Sequence, residues 1–197
     1  MRVLVCCEES QRVMMAFRSR GHDAFSNDLI ECSGGFPEYH LIGDCFEVIQ
    51  FFKPDLLVAH PPCTYLSRVT APLIFDSSHN IKDLNRYHLC LESAFFFKKF
   101  FIMQELYGFK MAVENPIPLR IAKLPPWSQI VNPSDFGSIY SKRTCLWLVG
   151  LPLLVPVLYG NSVCYNPLSW VYSGSSSASR RSKTDPFLAD AMGYFWG

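Results

Sequence analysis

A cysteine that follows two prolines is the strongest candidate nucleophile in this sequence. Cys63 comes directly after Pro61 and Pro62, and the fixed φ of proline restricts the backbone that leads to the thiol. A thiolate with a lowered pKa is a strong nucleophile near neutral pH. The alternative is a small buried cysteine that packs against a turn, because free cysteine is among the most buried residue types. The local pattern leaves both interpretations open.

A carboxyl group at the end of an apolar run is the matching candidate acid. Glu114 and Asn115 follow the run 110–113 and precede Pro116. Partial desolvation would raise the pKa of Glu114, so that its carboxyl group could donate a proton to a ring nitrogen. Alternatively, Asn115 caps a helix that begins at Pro116. The two interpretations are compatible with each other.

Short apolar runs that alternate with helical patterns indicate the elements that position these groups. Strands are predicted at 3–7, 23–28, 55–59, 110–113 and 144–149, and helices near 13–17 and at 44–52, 84–107 and 186–195. Loops are expected at 30–40, 64–82, 116–138 and 151–185, and the Phe-rich helix face at 95–101 is expected to be core. Strands that alternate with helices predict one Rossmann-like α/β domain with a doubly wound, mostly parallel sheet.

Polar residues at the carboxyl ends of the predicted strands form the candidate binding edge, because ligands bind there in such sheets. Asp28 and Asp44 could accept hydrogen bonds from ribose hydroxyls and an adenine amino group, although aspartate also serves ordinary turns. The remaining polar residues at these ends are Glu8, Glu9, Ser10, Asn27, the run 60–63, Glu114 and Asn115.

Basic residues offer weaker signals. Arg143 precedes a predicted strand and could bind a phosphate or a carbonyl oxygen, whereas Lys142 is expected to face solvent. Arg180, Arg181 and Lys183 form the only dense basic cluster. They could bind phosphate, or they could belong to a solvated loop, as short charge runs usually do.

Composition excludes several classes of protein. The 197 residues are 49% hydrophobic and 18% charged with a formal net charge of +1, which indicates a globular chain without the basic surplus of a duplex-binding protein. The eight cysteines include no Cys-x-x-Cys pair, and the histidines lack metal-ligand spacing, so no metal site is predicted. The N-terminus resembles a strand rather than a signal peptide, and the apolar segment 95–103 is interrupted by lysines. We therefore expect reduced thiols and a cytoplasmic location.

Taken together, these motifs resemble the cytosine-5 DNA methyltransferase family over nearly the whole chain. Pro62-Cys63 is similar to the catalytic Pro-Cys pair of the family, and Ser67 follows it. Glu114-Asn115 is similar to the Glu-Asn pair whose carboxyl group contacts the flipped cytosine. Residues 141–145 are similar to its Gln-x-Arg-x-Arg motif.

The sequence also contains residues similar to the cofactor-binding motifs of the family. Gly43-Asp44 is similar to the Gly-Asp pair that contacts the adenine of S-adenosylmethionine, and Asp28 to the acid of the second strand. A closer resemblance is to short phage and prophage proteins related to this family that lack a target-recognition domain. They share the elements Glu-Glu-Ser, Glu-Cys-Ser-Gly-Gly, Pro-Pro-Cys, Glu-Asn-Pro and Arg-Ser-Lys-Thr in this order.

The resemblance implies a mechanism and a set of site residues. Cys63 would attack carbon 6 of cytosine, Glu114 would stabilise the protonated ring, and Arg143 would help to hold the base; a duplex substrate would require base flipping. The implied cofactor contacts are Glu8, Glu9, Ser10, Asp28, Asp44, Pro61 and Pro62. The implied substrate contacts are Ser67, Asn115, Arg180, Arg181 and Lys183.

Three departures from the family pattern leave the function open. The Gly-rich first loop is replaced by 7–11, the Gln and last Arg of the 141–145 motif are Ser141 and Cys145, and a target-recognition domain has no room between Gly150 and the last helix. The main hypothesis is a methyltransferase acting on cytosine in DNA or in a nucleotide. A non-catalytic phage protein that binds a nucleotide or a host protein is the first alternative. Cysteine chemistry without a methyl donor is the second.

Overall fold

Seven strands form the central sheet of the protein, seen in a computed structural model that describes residues 1–156 and 183–197. The sheet order is β3-β2-β1-β4-β5-β7-β6. The first five strands in this order are parallel, whereas β7 is antiparallel to both of its neighbours. The strands are β1 Arg2–Cys6, β2 Asp23–Asp28, β3 His40–Ile42, β4 Leu56–Ala59, β5 Lys110–Pro116, β6 Gln129–Val131 and β7 Thr144–Val149.

Five α-helices accompany the sheet in the described part of the chain. They are α1 Arg12–Arg18, α2 Cys45–Phe52, α3 Ala71–Ile74, α4 Leu84–Tyr107 and α5 Pro186–Trp196. Side-chain caps mark where three of them begin: Asp44 caps α2, Asp83 caps α4 and Asp185 caps α5, as aspartate does for exposed backbone N–H groups. No helix among the described residues is long and apolar enough to cross a membrane.

The sheet buries an apolar core on each face. On one face, Leu4, Leu57 and Met111 pack with α2 and α4. Phe97 and Phe100 of α4 are fully buried there. On the other face, alternate residues of the same strands pack with α1 and α5. Because successive side chains of a strand point to opposite faces, strands covered on both sides read as continuous apolar runs. This is the doubly wound α/β fold that the sequence predicts, and the prediction is confirmed.

Two strands were not predicted: β6 lies in an expected loop, and β3 begins at the last residue of another. β3 at 40–42 and β6 at 129–131 are only three residues long, too short for a periodic pattern to predict them. The expected loop at 64–82 contains α3 and a 3-10 turn at Arg68–Thr70. Of the segment 151–185, residues 151–156 and 183–185 contain no helix or strand, as predicted, and 157–182 lie outside the described residues.

The helix-cap interpretation of Asn115 is wrong. β5 continues through Pro116, because Glu114, Asn115 and Pro116 pair with Leu146, Cys145 and Thr144 of antiparallel β7. A local pattern cannot reveal this pairing, since the partner strand lies about thirty residues further along the chain. The pairing matters for the site, because it brings the start of β7 beside Glu114.

Candidate active site

A cleft of about 660 Å³ opens at the carboxyl ends of β1 and β4. The strand order reverses direction between these two strands, and such switch points are the usual ligand sites of doubly wound sheets. The volume lies within the range of small-molecule sites. The lining residues are Cys7, Glu8, Glu9, Ser10, Asn27, Asp28, Leu29, Gly43, Asp44, Cys45, His60, Pro61, Pro62, Cys63, Thr64, Glu92, Ser93, Phe96, Glu114, Pro116, Lys142, Lys183 and Thr184.

Glu8 lines the cleft but uses its carboxylate to hold helix α1. Its two oxygens accept hydrogen bonds from the backbone N–H groups of Val13, at 2.6 Å, and Met14, at 3.1 Å. These donors belong to the first turn of the helix and have no acceptor within it. Burial raises the pKa of Glu8, while His60 and the two N–H groups oppose the rise. The contacts of Glu8 therefore serve the structure of the protein.

Glu9 is tied to two distant parts of the chain. Its carboxylate accepts a hydrogen bond from the hydroxyl of Ser33 and lies 3.6 Å from the ammonium of Lys183. Lys183 also donates to the Ser33 hydroxyl at 2.7 Å. The predicted phosphate ligand Lys183 thus lies at the cleft, where it links the first loop to the segment that precedes α5. Within the described residues, the ammonium of Lys183 contacts Glu9 and Ser33.

The Ser33-Gly34-Gly35 turn packs directly on the first loop. A Cβ on Gly34 would lie 2.6 Å from Cβ of Gln11 and 2.7 Å from the carbonyl oxygen of Ser10, closer than any side chain can approach. Gln11 in turn donates to the carbonyl of Phe36 at 2.8 Å and accepts from its N–H at 3.0 Å. A glycine at 34 therefore allows the 33–35 turn to pack against Ser10 and Gln11 of the first loop.

Asp28 and Asp44 lie on the same side of the cleft with part of their carboxylates engaged. One oxygen of Asp28 accepts from the N–H of Leu29 at 2.7 Å. One oxygen of Asp44 accepts from the first N–H groups of α2, at 2.8 and 3.2 Å. No described group bonds the second oxygen of either residue. The turn and cap interpretation of these acids is confirmed, and their role in binding a ligand stays a prediction.

Asn27 is a cleft residue with an unused acceptor. Its amide nitrogen donates to the carbonyls of Leu41 and Gly43 at 2.8 and 3.0 Å. Its amide oxygen is buried and has no partner among the described residues. Burying an acceptor without a donor costs free energy. A ligand that donates a hydrogen bond at this end of β2 would therefore bind favourably.

Cys63 lies half-buried in the cleft wall beyond β4. Its carbonyl accepts from the N–H groups of Leu66 and Ser67 at 3.1 and 3.0 Å, which folds the following residues into a turn. The carbonyl of Pro61 accepts from the amide nitrogen of Asn115 at 2.9 Å. The backbone before and after the thiol is therefore fixed, by the proline rings on one side and by hydrogen bonds on both.

Glu114 enters the same cleft from β5 and is held by three groups. Its carboxylate accepts from the hydroxyl of Thr144 and lies 3.3 Å from Nδ1 of His60, while Lys142 lies close enough to act on its charge. Burial alone raises the pKa of Glu114, but the His60 hydrogen bond, Lys142 and Thr144 together lower it to about 2. The expected raised pKa is therefore wrong, because the neighbours favour the ionised form more than burial disfavours it.

Several predicted residues are not brought to the cleft. Arg143 is exposed and is not among the lining residues, whereas Lys142, expected to face solvent, lines the cleft instead. Asn115 is buried on the opposite side of β5 from Glu114, because neighbouring strand residues alternate. Ser67 is buried and forms an isolated bridge with Pro118. Arg180 and Arg181 lie outside the described residues.

Some cleft residues were not assigned a role from the sequence. His60 follows β4 directly, so its position at a strand end was visible although its contact with Glu114 was not. Phe96 lies at the cleft, so the Phe-rich face is not core alone. Lys142 and Thr144 reach Glu114 only through the β5–β7 pairing. No local signal reveals that pairing.

Two further thiols, those of Cys7 and Cys45, line the cleft. The pKa of Cys7 is raised well above its ordinary value by a hydrogen bond with Cys45 and by burial. A thiol held protonated in this way is a poor nucleophile. Within residues 1–156 and 183–197, no group of three or more metal-binding side chains is found.

Comparisons with known proteins do not identify a family. A scan against protein-family models gives no match, and a search of the curated proteins also gives none. What is established at this point is a Rossmann-like α/β domain with a mostly parallel seven-strand sheet, whose switch-point cleft contains a cysteine and an ionised glutamate.

Proposed function

We propose that the protein is an S-adenosylmethionine-dependent methyltransferase that acts on cytosine, in DNA or in a nucleotide, through Cys63. One observation carries the proposal: Cys63 from the end of β4 and Glu114 from β5 line the same cleft. The resemblance to the cytosine-5 methyltransferase family predicts this convergence of two residues that are far apart in sequence. A scaffold without such chemistry has no need to direct both groups into one cavity.

The cleft suits the implied cofactor. Its described lining contains six carboxylic residues and two lysines, which favours a cationic sulfonium over a chain of phosphates. The free oxygens of Asp28 and Asp44 and the unpartnered amide oxygen of Asn27 are acceptors suited to ribose hydroxyls and an adenine amino group. The six acids are Glu8, Glu9, Asp28, Asp44, Glu92 and Glu114, and the lysines are Lys142 and Lys183.

When bound, S-adenosylmethionine supplies an electrophilic methyl group. The residues of the protein prepare the acceptor. The thiolate of Cys63 forms a bond to carbon 6 of the base, and the electron pair of the ring double bond moves to carbon 5, which makes that carbon nucleophilic. Because Glu114 is ionised, the ring nitrogen would take its proton from solvent, and the carboxylate would pair with the protonated ring. Once carbon 5 carries the methyl group, loss of its proton to solvent and release of the Cys63 thiolate from carbon 6 would restore the ring.

A covalent trap tests the proposal. Oligonucleotides that contain 5-fluorocytosine hold the enzyme after methyl transfer, because a fluorine on carbon 5 cannot leave as a cation in the way that a proton does. With S-adenosylmethionine present, we expect an adduct by intact mass spectrometry for the wild type and none for Cys63→Ser. Cys7→Ser is the matched control, since Cys7 lines the same cleft with a protonated thiol, and it should form the adduct. Single-stranded, duplex and mononucleotide substrates are tested in parallel.

The second candidate function is non-catalytic binding of a nucleotide or a host protein. It is favoured by the engagement of Glu8 and Glu9 in bonds to the protein itself, and by the packing of the 33–35 turn on the first loop. Isothermal titration separates the candidates. Binding of S-adenosylmethionine together with methyl transfer supports the enzyme, whereas nucleotide binding without cofactor binding supports the binder.

A further inference from the structure

We propose that His60 is a positioning residue that fixes the carboxylate of Glu114 through the Nδ1 atom of its imidazole. The inference rests on the proposed function for its catalytic meaning, but its physical content concerns the two side chains alone. It assigns a role to a residue that the family motifs leave without one.

The geometry places His60 between two elements of the sheet. Its backbone N–H donates to the carbonyl of Cys6 at 3.0 Å, which anchors the residue to the end of β1. Its Nδ1 lies 3.3 Å from Oε2 of Glu114, and the two side chains are only 8% and 15% exposed. Because the backbone of His60 is anchored and its side chain is buried, its contact through Nδ1 restricts where the Glu114 carboxylate can lie.

The contact also determines which tautomer of His60 is present. A carboxylate can only accept a hydrogen bond, so Nδ1 must carry the hydrogen. The other nitrogen, Nε2, is buried and has no partner among the described residues. Leaving a buried ring nitrogen unpaired is unfavourable, and an apolar residue would fill the same space without that cost. The protein therefore retains the imidazole for its bond to Glu114 and not for packing.

The charges around His60 support the same role. Glu8 faces it from the loop after β1, and Glu114 faces it from β5. Lys142, just before β7, acts on Glu114 from a different direction. Thr144 donates to the other carboxylate oxygen of Glu114. His60 and Thr144 thus hold one oxygen each, so loss of the His60 bond would release Oε2 from this contact and leave Oε1 bonded to Thr144.

Two substitutions of His60 distinguish the roles of its two ring nitrogens. In His60→Asn the amide nitrogen can occupy the place of Nδ1, and in His60→Gln it can occupy the place of Nε2. Carboxyl carbon NMR of the full chain reports the titration of Glu114, assigned by its loss in Glu114→Gln. We expect wild type and His60→Asn to titrate alike, and His60→Gln to titrate at higher pH. Equal titration in all three proteins would overturn the inference.

Kinetics give the catalytic consequence. In the methyl-transfer assay, His60→Gln should lose roughly 10- to 100-fold in kcat with little change in KM, while His60→Asn should stay within roughly 3-fold of the wild type. The opposite ranking would assign the function to Nε2 and reject positioning through Nδ1. A wild type that transfers no methyl group would refute the proposed function, and the NMR titration would still decide the role of His60. Circular dichroism confirms that each variant is folded.

Discussion

The two sides of the cleft use similar polar residues for different purposes. We call the cleft residues Glu8, Glu9 and Asp44 the first wall, and the cleft residues His60, Cys63 and Glu114 the second wall; Thr144 is buried behind the second wall. In the first wall, carboxylates bond to the backbone of α1, to Ser33 and Lys183, and to the backbone of α2. In the second wall, the bonds run between side chains and converge on Glu114.

This difference shows that an acid at a strand end is weak evidence for ligand binding by itself. A carboxylate that caps a helix stabilises the fold whether or not a ligand is present. A carboxylate held by other side chains in a cavity holds no helix in place, and an ionised group placed there is costly to bury unless it is paired. Substitutions in the first wall should therefore mainly reduce stability, whereas Glu114 substitutions in the second wall should reduce function most and stability as well.

The largest effect is expected for Glu114→Gln. The neutral amide cannot pair with a protonated ring, so we expect the rate of methyl transfer to fall by about 10²- to 10⁴-fold. Quenched-flow measurement of a single turnover reports this step without product release. A rate within a few-fold of the wild type would show that Glu114 is not part of the chemistry. The acid of the second wall would then have a structural role, like the acids of the first wall.

The next effect is a dependence of stability on acid pH. The folded pKa of Glu114 is about 2 and its ordinary value is 4.5, so the unfolded chain binds this proton more strongly. The stabilisation is complete above pH 4.5 and is lost as the pH falls toward 2, and its size is at most about 3 kcal/mol. Urea unfolding at several pH values should show that Glu114→Gln is less stable than wild type above pH 4.5. The difference should shrink toward pH 2, and a constant difference would contradict the lowered pKa.

In the first wall, Glu8→Ala should reduce stability. The N–H groups of Val13 and Met14 would lose their acceptors, which costs about 1–3 kcal/mol. The matched control is Glu92→Ala, an exposed acid of α4 that lines the same cleft, with an expected change within about 0.5 kcal/mol. Denaturant unfolding measures both. Equal effects would mean that Glu8 does not hold α1.

The smallest effect concerns the turn that covers the first loop. Gly34→Ala places a Cβ within 2.7 Å of the Ser10 carbonyl, whereas Gly35→Ala meets no atom within 4 Å but has φ +91°. Gly35→Ala should lower the free energy of unfolding by about 1 kcal/mol through backbone strain alone. Gly34→Ala should lower it by about 1 kcal/mol more than Gly35→Ala does, because of the steric clash. Thermal unfolding ranks the two, and a Gly34→Ala protein as stable as wild type would contradict the close packing.

Much of the fold could be predicted because its signals are local. Apolar runs such as 3–7 and 55–59 match β1 and β4 within a residue or two, and the helix predicted at 84–107 matches α4 at both ends. Caps at Asp83 and Gly108 explain the precise match. The site was predicted in part, since Cys63 and Glu114 follow apolar runs and meet in the cleft, while β3 and β6 are too short to leave a pattern.

The sequence by itself determined the alternation of strands and helices, the polar residues at the strand ends, and the cysteine behind two prolines. Only the tertiary structure decided which of those residues share a cavity and in which state of charge. The pairing of β5 with β7 brings Thr144 beside Glu114 and Lys142 close enough to act on its charge, and His60 reaches it from β4. The ionisation of a buried acid depends on such neighbours and on desolvation. Both are set by distances between residues that lie far apart along the chain.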